Sequence, residues 1–162
     1  MKQLLVLRHA KSSWKDSTLR DFDRPLNKRG EHDAPRMGRL LAKLDLVPDQ
    51  IITSAAVRAE STAEAVAANC GYDGEILATQ DLYMGGPDDY IALLNLVPDS
   101  NTRVMVVGHN PGIEDVVEGF TNHWYRMPTA ALALIQLDID NWQGIDLATE
   151  GNLLNLWLPK EI

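Results

Sequence analysis

The chain of 162 residues is 45% hydrophobic and 23% charged, with 11 Gly and 8 Pro, which fits one globular domain spanning 1–162 and excludes a disordered or fibrous chain. Cys70 is the only cysteine, so a disulfide framework is excluded as well. A net charge of −8 argues against nucleic acid as a partner, because that binding needs basic surface to neutralise phosphates.

The first element is the aliphatic run Leu4 to Leu7, a strand that ends at Arg8 and His9. It falls far short of the ~18 apolar residues of a membrane span. Neither a signal peptide nor a membrane anchor is expected, and the expected location is cytoplasmic. After a loop through Pro25, Asn27 caps a helix in which Met37, Leu40, Leu41 and Leu44 recur at helical spacing. Pro35 is expected to kink that helix or mark a restart. Gln50 to Thr53 is a second strand, and Val57 to Asn69 is a helix ended by Gly71. A weaker strand over Glu75 to Ala78 precedes the Gly85-Gly86-Pro87 helix-entry turn and a helix through Asp88 to Leu96. Val104 to Val107 is the strongest buried strand. Asn110-Pro111-Gly112 then leads into a short helix to about Glu118. Ala131 to Leu137 and Leu153 to Leu158 are late strands with no helix between them, which predicts an antiparallel pair near an edge.

Strands alternating with helices predict a three-layer α/β/α sandwich with a mostly parallel sheet. Ligands in such sheets gather beyond the carboxyl ends of the strands. Three aliphatic runs lead into anion-binding residues: Arg8-His9 after the first, Ser54 and Arg58 after the second, and Gly108-His109 after Val107. Parallel strands would bring all three sets to one rim. The charge distribution points the same way, since residues 1–30 hold eight of the fifteen Lys/Arg and three acids, a net of +5 on an otherwise acidic chain.

Taken singly, each of these residues could be an ordinary loop or surface side chain; together they fit phosphoryl transfer through a phosphohistidine. One neutral imidazole attacks phosphorus while guanidinium forks hold its equatorial oxygens. His9 is assigned as the nucleophile, Arg8 and Arg58 as the clamps, and His109 as a protonated second donor. A bell-shaped pH profile is expected from the two imidazoles. Neither paired cysteines nor helically spaced histidines are present, so no metal and no cofactor are expected. His32 is expected to be exposed and His123 to bond backbone.

The segments Leu5-Val6-Leu7-Arg8-His9-Ala10-Lys11, Asp23 to Gly30, Ser54-Ala55-Ala56-Val57-Arg58-Ala59 and Val107 to Gly112 resemble the histidine phosphatase superfamily. They are most similar to its small SixA-type phosphohistidine phosphatases. The resemblance runs from the first strand to about Ala131. It implies the phosphoglycerate mutase-like fold and the same roles for Arg8, His9, Arg58 and His109. Ala10 stands where many relatives have Gly, and Asn110 where the acid phosphatase branch carries an aspartate general acid. Asp81 is the nearest candidate for the acid of the mutase-like branch. An alkyl ester gains ~10²–10⁴ from such an acid, whereas a phosphoramidate leaves through a nitrogen that protonates more readily.

The expected activity is therefore a metal-independent phosphatase acting on phosphohistidine in a protein. No insertion is long enough for a lid, and Lys11, Lys15, Arg20 and Arg24 are expected around the pocket to meet an acidic partner, with Trp14 nearby. The alternatives are a phosphatase or mutase acting on a small phosphorylated substrate, and a module that binds a phosphoprotein without turnover.

Overall fold

In the computed structural model, which describes residues 1–162, six strands join in one sheet: β1 (Lys2–Arg8), β2 (Gln50–Ser54), β3 (Ile76–Thr79), β4 (Arg103–Gly108), β5 (Leu132–Leu137) and β6 (Gly151–Trp157). Their spatial order is β3-β2-β4-β1-β5-β6. The first four strands of that order run parallel, and β5 lies antiparallel to both β1 and β6. Four helices fill the intervals: α1 (Lys28–Lys43), α2 (Val57–Cys70), α3 (Pro87–Leu94) and α4 (Gly112–Thr121).

Side chains alternate across a strand, and this decides what each face of the sheet meets. Leu4 and Val6 of β1, with Val104 and Val106 of β4, share a cluster with Tyr90 and Leu94 of α3 and Ile113 and Val117 of α4. Leu5, Leu7, Met105 and Val107 point the other way, onto Met37 and Leu41 of α1 and Ala63 and Val66 of α2. Every one of these strand side chains is fully buried. Both faces of β1 and β4 need apolar cover, so the two strands read as unbroken aliphatic runs. The result is the expected helix-sheet-helix sandwich.

Local chemistry sets the ends of the helices. Asn27 accepts the Gly30 amide at 2.9 Å and starts α1, while Gly71, at φ 84°, ends α2 in the left-handed region. Pro35 marks no restart, because α1 runs through it as a single helix of 16 residues. The proline forfeits one backbone hydrogen bond, and the buried Met37, Gly38 and Leu41 beyond it hold the helix in place. A Cβ on Gly38 would sit 2.7 Å from the Val66 carbonyl, so the bare α-carbon lets α1 close on α2.

The late strands pair antiparallel as anticipated, with β6 at the edge. The placement of β4 between β1 and β2 matters most for the site. Arg8 is paired with Gly108 and Thr53 with Val107, so the carboxyl ends of three adjacent parallel strands open on one rim. No helix is long and apolar enough to cross a membrane.

Candidate active site

His9 follows the last residue of β1, and its backbone is fixed on both sides. Its amide donates to the Gly108 carbonyl at 3.0 Å, and its carbonyl accepts from Ala130 at 3.0 Å. The Ala10 amide donates to Thr62 Oγ1 at 3.0 Å, and the Thr62 hydroxyl donates to the Arg58 carbonyl at 2.7 Å. One fully buried hydroxyl therefore ties the turn carrying His9 to the helical turn carrying Arg58. The start of α1 presses on the same loop, where a Cβ on Gly30 would collide with the Lys11 carbonyl.

The His9 ring lies with Nδ1 2.7 Å from the Ala10 carbonyl oxygen. A carbonyl can only accept, so Nδ1 carries the hydrogen and Nε2 keeps its lone pair. The His109 ring stands 4.9 Å away between centroids, with its Nε2 2.8 Å from Ser54 Oγ at the end of β2. Tyr83 meets His109 edge-on at 5.5 Å.

The guanidinium groups are held by acceptors. Arg8 donates to the Met127 carbonyl at 3.1 Å, an oxygen that also accepts from Asn110 Nδ2 at 2.9 Å. Arg58 donates through Nη1 to the Asp21 carbonyl at 2.6 Å and through Nη2 to the Asp21 carboxylate at 2.9 Å. The same carboxylate accepts from Tyr83 at 2.6 Å and from Arg24 Nε at 3.1 Å. Arg24 in turn lies 3.5 Å over the Trp14 ring, a cation–π contact. The Nε atoms of Arg8 and Arg58 are buried and have no partner.

Burial and these cations set the charge of the imidazoles. His9 is pushed down to about 3, chiefly by burial and further by His109, Arg58 and Arg8, against the pull of its bond to Ala10. His109 is pushed down to about 4, chiefly by burial and then by Arg58, with Asp21 opposing. Both rings are neutral at pH 7. For His109 this corrects the expectation of a standing positive charge. Asp21 is held at about 2, first by the Tyr83 hydroxyl and then by Arg58 and Arg24.

Arg8, His9, Arg58 and His109, drawn from three strand ends, line one pocket of about 250 Å³, joined by Lys11 and Arg24. No carboxylate lines it. Asp81 is exposed and lies outside the lining. Lys15 and Arg20 are also exposed and outside it, which corrects their expected placement. Arg20 is paired instead with Asp23 at 2.8 Å. Trp14 lines the mouth and is 73% exposed. His32 is exposed, as expected. His123 accepts through its backbone carbonyl from Thr121. Asp21, Thr62 and Tyr83 are the residues that sequence reasoning missed. Asp21 sits among alternating charges and Thr62 on a helix without polar periodicity, so neither is marked by spacing.

Residues 4–82 match the histidine phosphatase superfamily (branch 1). An uncharacterized chloroplastic protein of Arabidopsis thaliana is 33% identical over 152 residues, covering 88% of this chain and 69% of that protein. Among solved structures, a protein assigned as phosphohistidine phosphatase SixA from Agrobacterium tumefaciens superposes with a TM-score of 0.82 at 28% identity, covering 98% of each chain. The protein histidine phosphatase SixA complexed with tungstate shares the fold at a TM-score of 0.83 and 21% identity, covering 98% of this chain and 97% of its own. With this likeness beside the convergent histidines and arginines, the chain belongs to the histidine phosphatase superfamily and is a phosphatase with a histidine-based mechanism.

Proposed function

We propose that the protein removes the phosphoryl group from phosphohistidine in a protein substrate, through a covalent intermediate on His9 and without a metal. One observation carries the reading. A neutral imidazole with a free Nε2 lone pair stands among cations in a pocket that no carboxylate lines.

In the first step His9 Nε2 forms a bond to phosphorus as the bond from phosphorus to the substrate imidazole breaks, and the departing nitrogen takes up a proton from solvent. In the second step water attacks the phosphoryl group on His9, the P–N bond breaks, inorganic phosphate leaves, and His9 is regenerated. Arg8 and Arg58 balance the charge on the equatorial oxygens, and loss of such a donor costs ~10²–10³ in rate. His109, facing His9, is the second donor. Neutral His109 keeps one ring N–H to donate to a phosphoryl oxygen, so it takes up no proton as the substrate arrives. The absence of a lining carboxylate supports a phosphoramidate substrate, because an alkoxide leaving group needs the acid that this pocket lacks. The similarity to SixA phosphohistidine phosphatases supports the same choice.

The test is to incubate the protein with a phosphohistidine protein and follow intact mass and released phosphate. The expected result is a transient phosphoryl adduct on the wild type and none on His9→Ala, with phosphohistidine consumed faster than simple alkyl esters. Phosphoprotein binding with no adduct and no release would identify a binding module instead. Faster turnover of small esters would move the substrate to a phosphomonoester.

A further inference from the structure

We propose that the cavity beside the phosphoryl pocket is a subsite for a carboxylate side chain flanking the phosphohistidine of the substrate protein; this rests on the function proposed above. The cavity measures about 510 Å³ and is continuous with the phosphoryl pocket, sharing Arg8, Lys11, Asn110 and Thr129 with it. Its outer wall brings in Arg29 from α1, Arg126 from the segment before β5, and Lys160 from the turn after β6. Five cations thus line it against two carboxylates, Glu114 and Glu161, on a protein whose net charge is −8.

Three of these cations have no ion-pair partner within the protein. Lys11, Arg126 and Lys160 form no ion pair, and Arg29 has only Asp33, at 3.5 Å. Glu114 is already engaged, since it accepts the Met127 amide at 3.0 Å. Like charges gathered from separate chain segments repel one another unless an anion enters, and a concave wall concentrates their field. Four residues line both cavities, so an anion held here lies beside the phosphoryl group and fits a side chain of the same substrate. A carboxylate is the anion that a protein carries as an ordinary side chain beside its phosphohistidine, so it needs no second modification of the substrate. Trp124, 58% exposed, supplies a flat apolar wall for the stem of that side chain.

The experiment compares two phosphohistidine peptides that differ only in carrying Glu or Gln at the positions flanking the phosphorylated residue. The wild type is expected to favour the Glu peptide by about tenfold in kcat/KM at low ionic strength, with the preference shrinking as salt is added. Arg126→Gln with Lys160→Gln should bring the ratio close to one, while Arg126→Lys with Lys160→Arg should keep it. Equal turnover of both peptides by the wild type, or a ratio unmoved by the double Gln variant, overturns the subsite and leaves the phosphohistidine reading standing. Turnover of neither peptide overturns that reading and the subsite with it.

Discussion

Arg58 is bound twice by Asp21, through the backbone carbonyl and through the carboxylate. The double contact fixes the plane of the guanidinium, and Tyr83 and Arg24 hold the carboxylate that fixes it. Asp21 touches no phosphoryl oxygen in the proposed mechanism and is a positioning residue. Asp21→Asn keeps the shape and one acceptor but removes the charge, so it should lower kcat/KM by about tenfold, against ~10²–10³ for Arg58→Ala. Steady-state kinetics on both variants checks this, and a loss in Asp21→Asn as large as in Arg58→Ala would make Asp21 part of the reaction itself.

The pH dependence of kcat/KM follows the protein before substrate binds. His9 at about 3 and His109 at about 4 are neutral across pH 5–8. The profile is therefore expected to be level over that range after correction for ionisation of the substrate, and to fall only below about pH 5, as His9 takes up a proton. This replaces the bell expected from the sequence, whose alkaline side required a protonated His109. The acid limb of kcat should lie at higher pH than that of kcat/KM, because bound phosphoryl dianion raises both imidazoles. An acid limb of kcat/KM centred near 6.5 would contradict the burial argument.

Stability should fall in acid for the same reason. Both histidines are held below the usual 6.5, so between pH 6.5 and about 4 the unfolded chain binds protons that the folded chain refuses. Their full contribution is present above pH 6.5 and is lost as the pH falls through that window. At pH 5 the loss is about 2 kcal/mol per histidine. Asp21, lowered from 3.8 to about 2 in the folded protein, adds to the loss in the same sense, but only as the pH falls below about 4. Urea unfolding at pH 7 and pH 5 should show a smaller drop for His9→Gln with His109→Gln than for the wild type.

Thr62→Val should be costly for its size. It removes a buried hydroxyl that accepts from Ala10 and donates to Arg58, leaving the Ala10 amide unsatisfied at a cost of about 1–3 kcal/mol. Thr62→Ser keeps the oxygen and should recover most of the loss. The denaturation midpoints of the two variants give the comparison. Activity should follow in the same order, because the tie joins the turns of His9 and Arg58.

The main strands and helices were legible because burial on both faces of β1 and β4 demands unbroken aliphatic runs, and because Asn27, Gly71 and Gly86-Pro87 punctuate the helices chemically. The convergence of Arg8, His9, Arg58 and His109 was legible because parallel strands deliver their carboxyl ends to one place. The roles of Asp21, Thr62 and Tyr83 were not, since each depends on a partner far along the chain and leaves no periodic trace. Arg20 and Arg24 illustrate the limit. They are the same residue type four positions apart, yet Arg20 turns outward to Asp23 while Arg24 turns inward to Asp21 and Trp14.

The insertion of β4 between strands made earlier in the chain governs how the protein can be divided. A fragment ending before Arg103 would leave β1 and β2 with facing gaps where ladder partners belong. Such a piece would hold His9, Arg8 and Arg58 in its covalent sequence and still have no way to assemble them around one phosphorus atom. Competence should thus arrive late during synthesis, once residues 103–109 have closed the sheet from within and residues 127–131 have fixed Arg8 and His9.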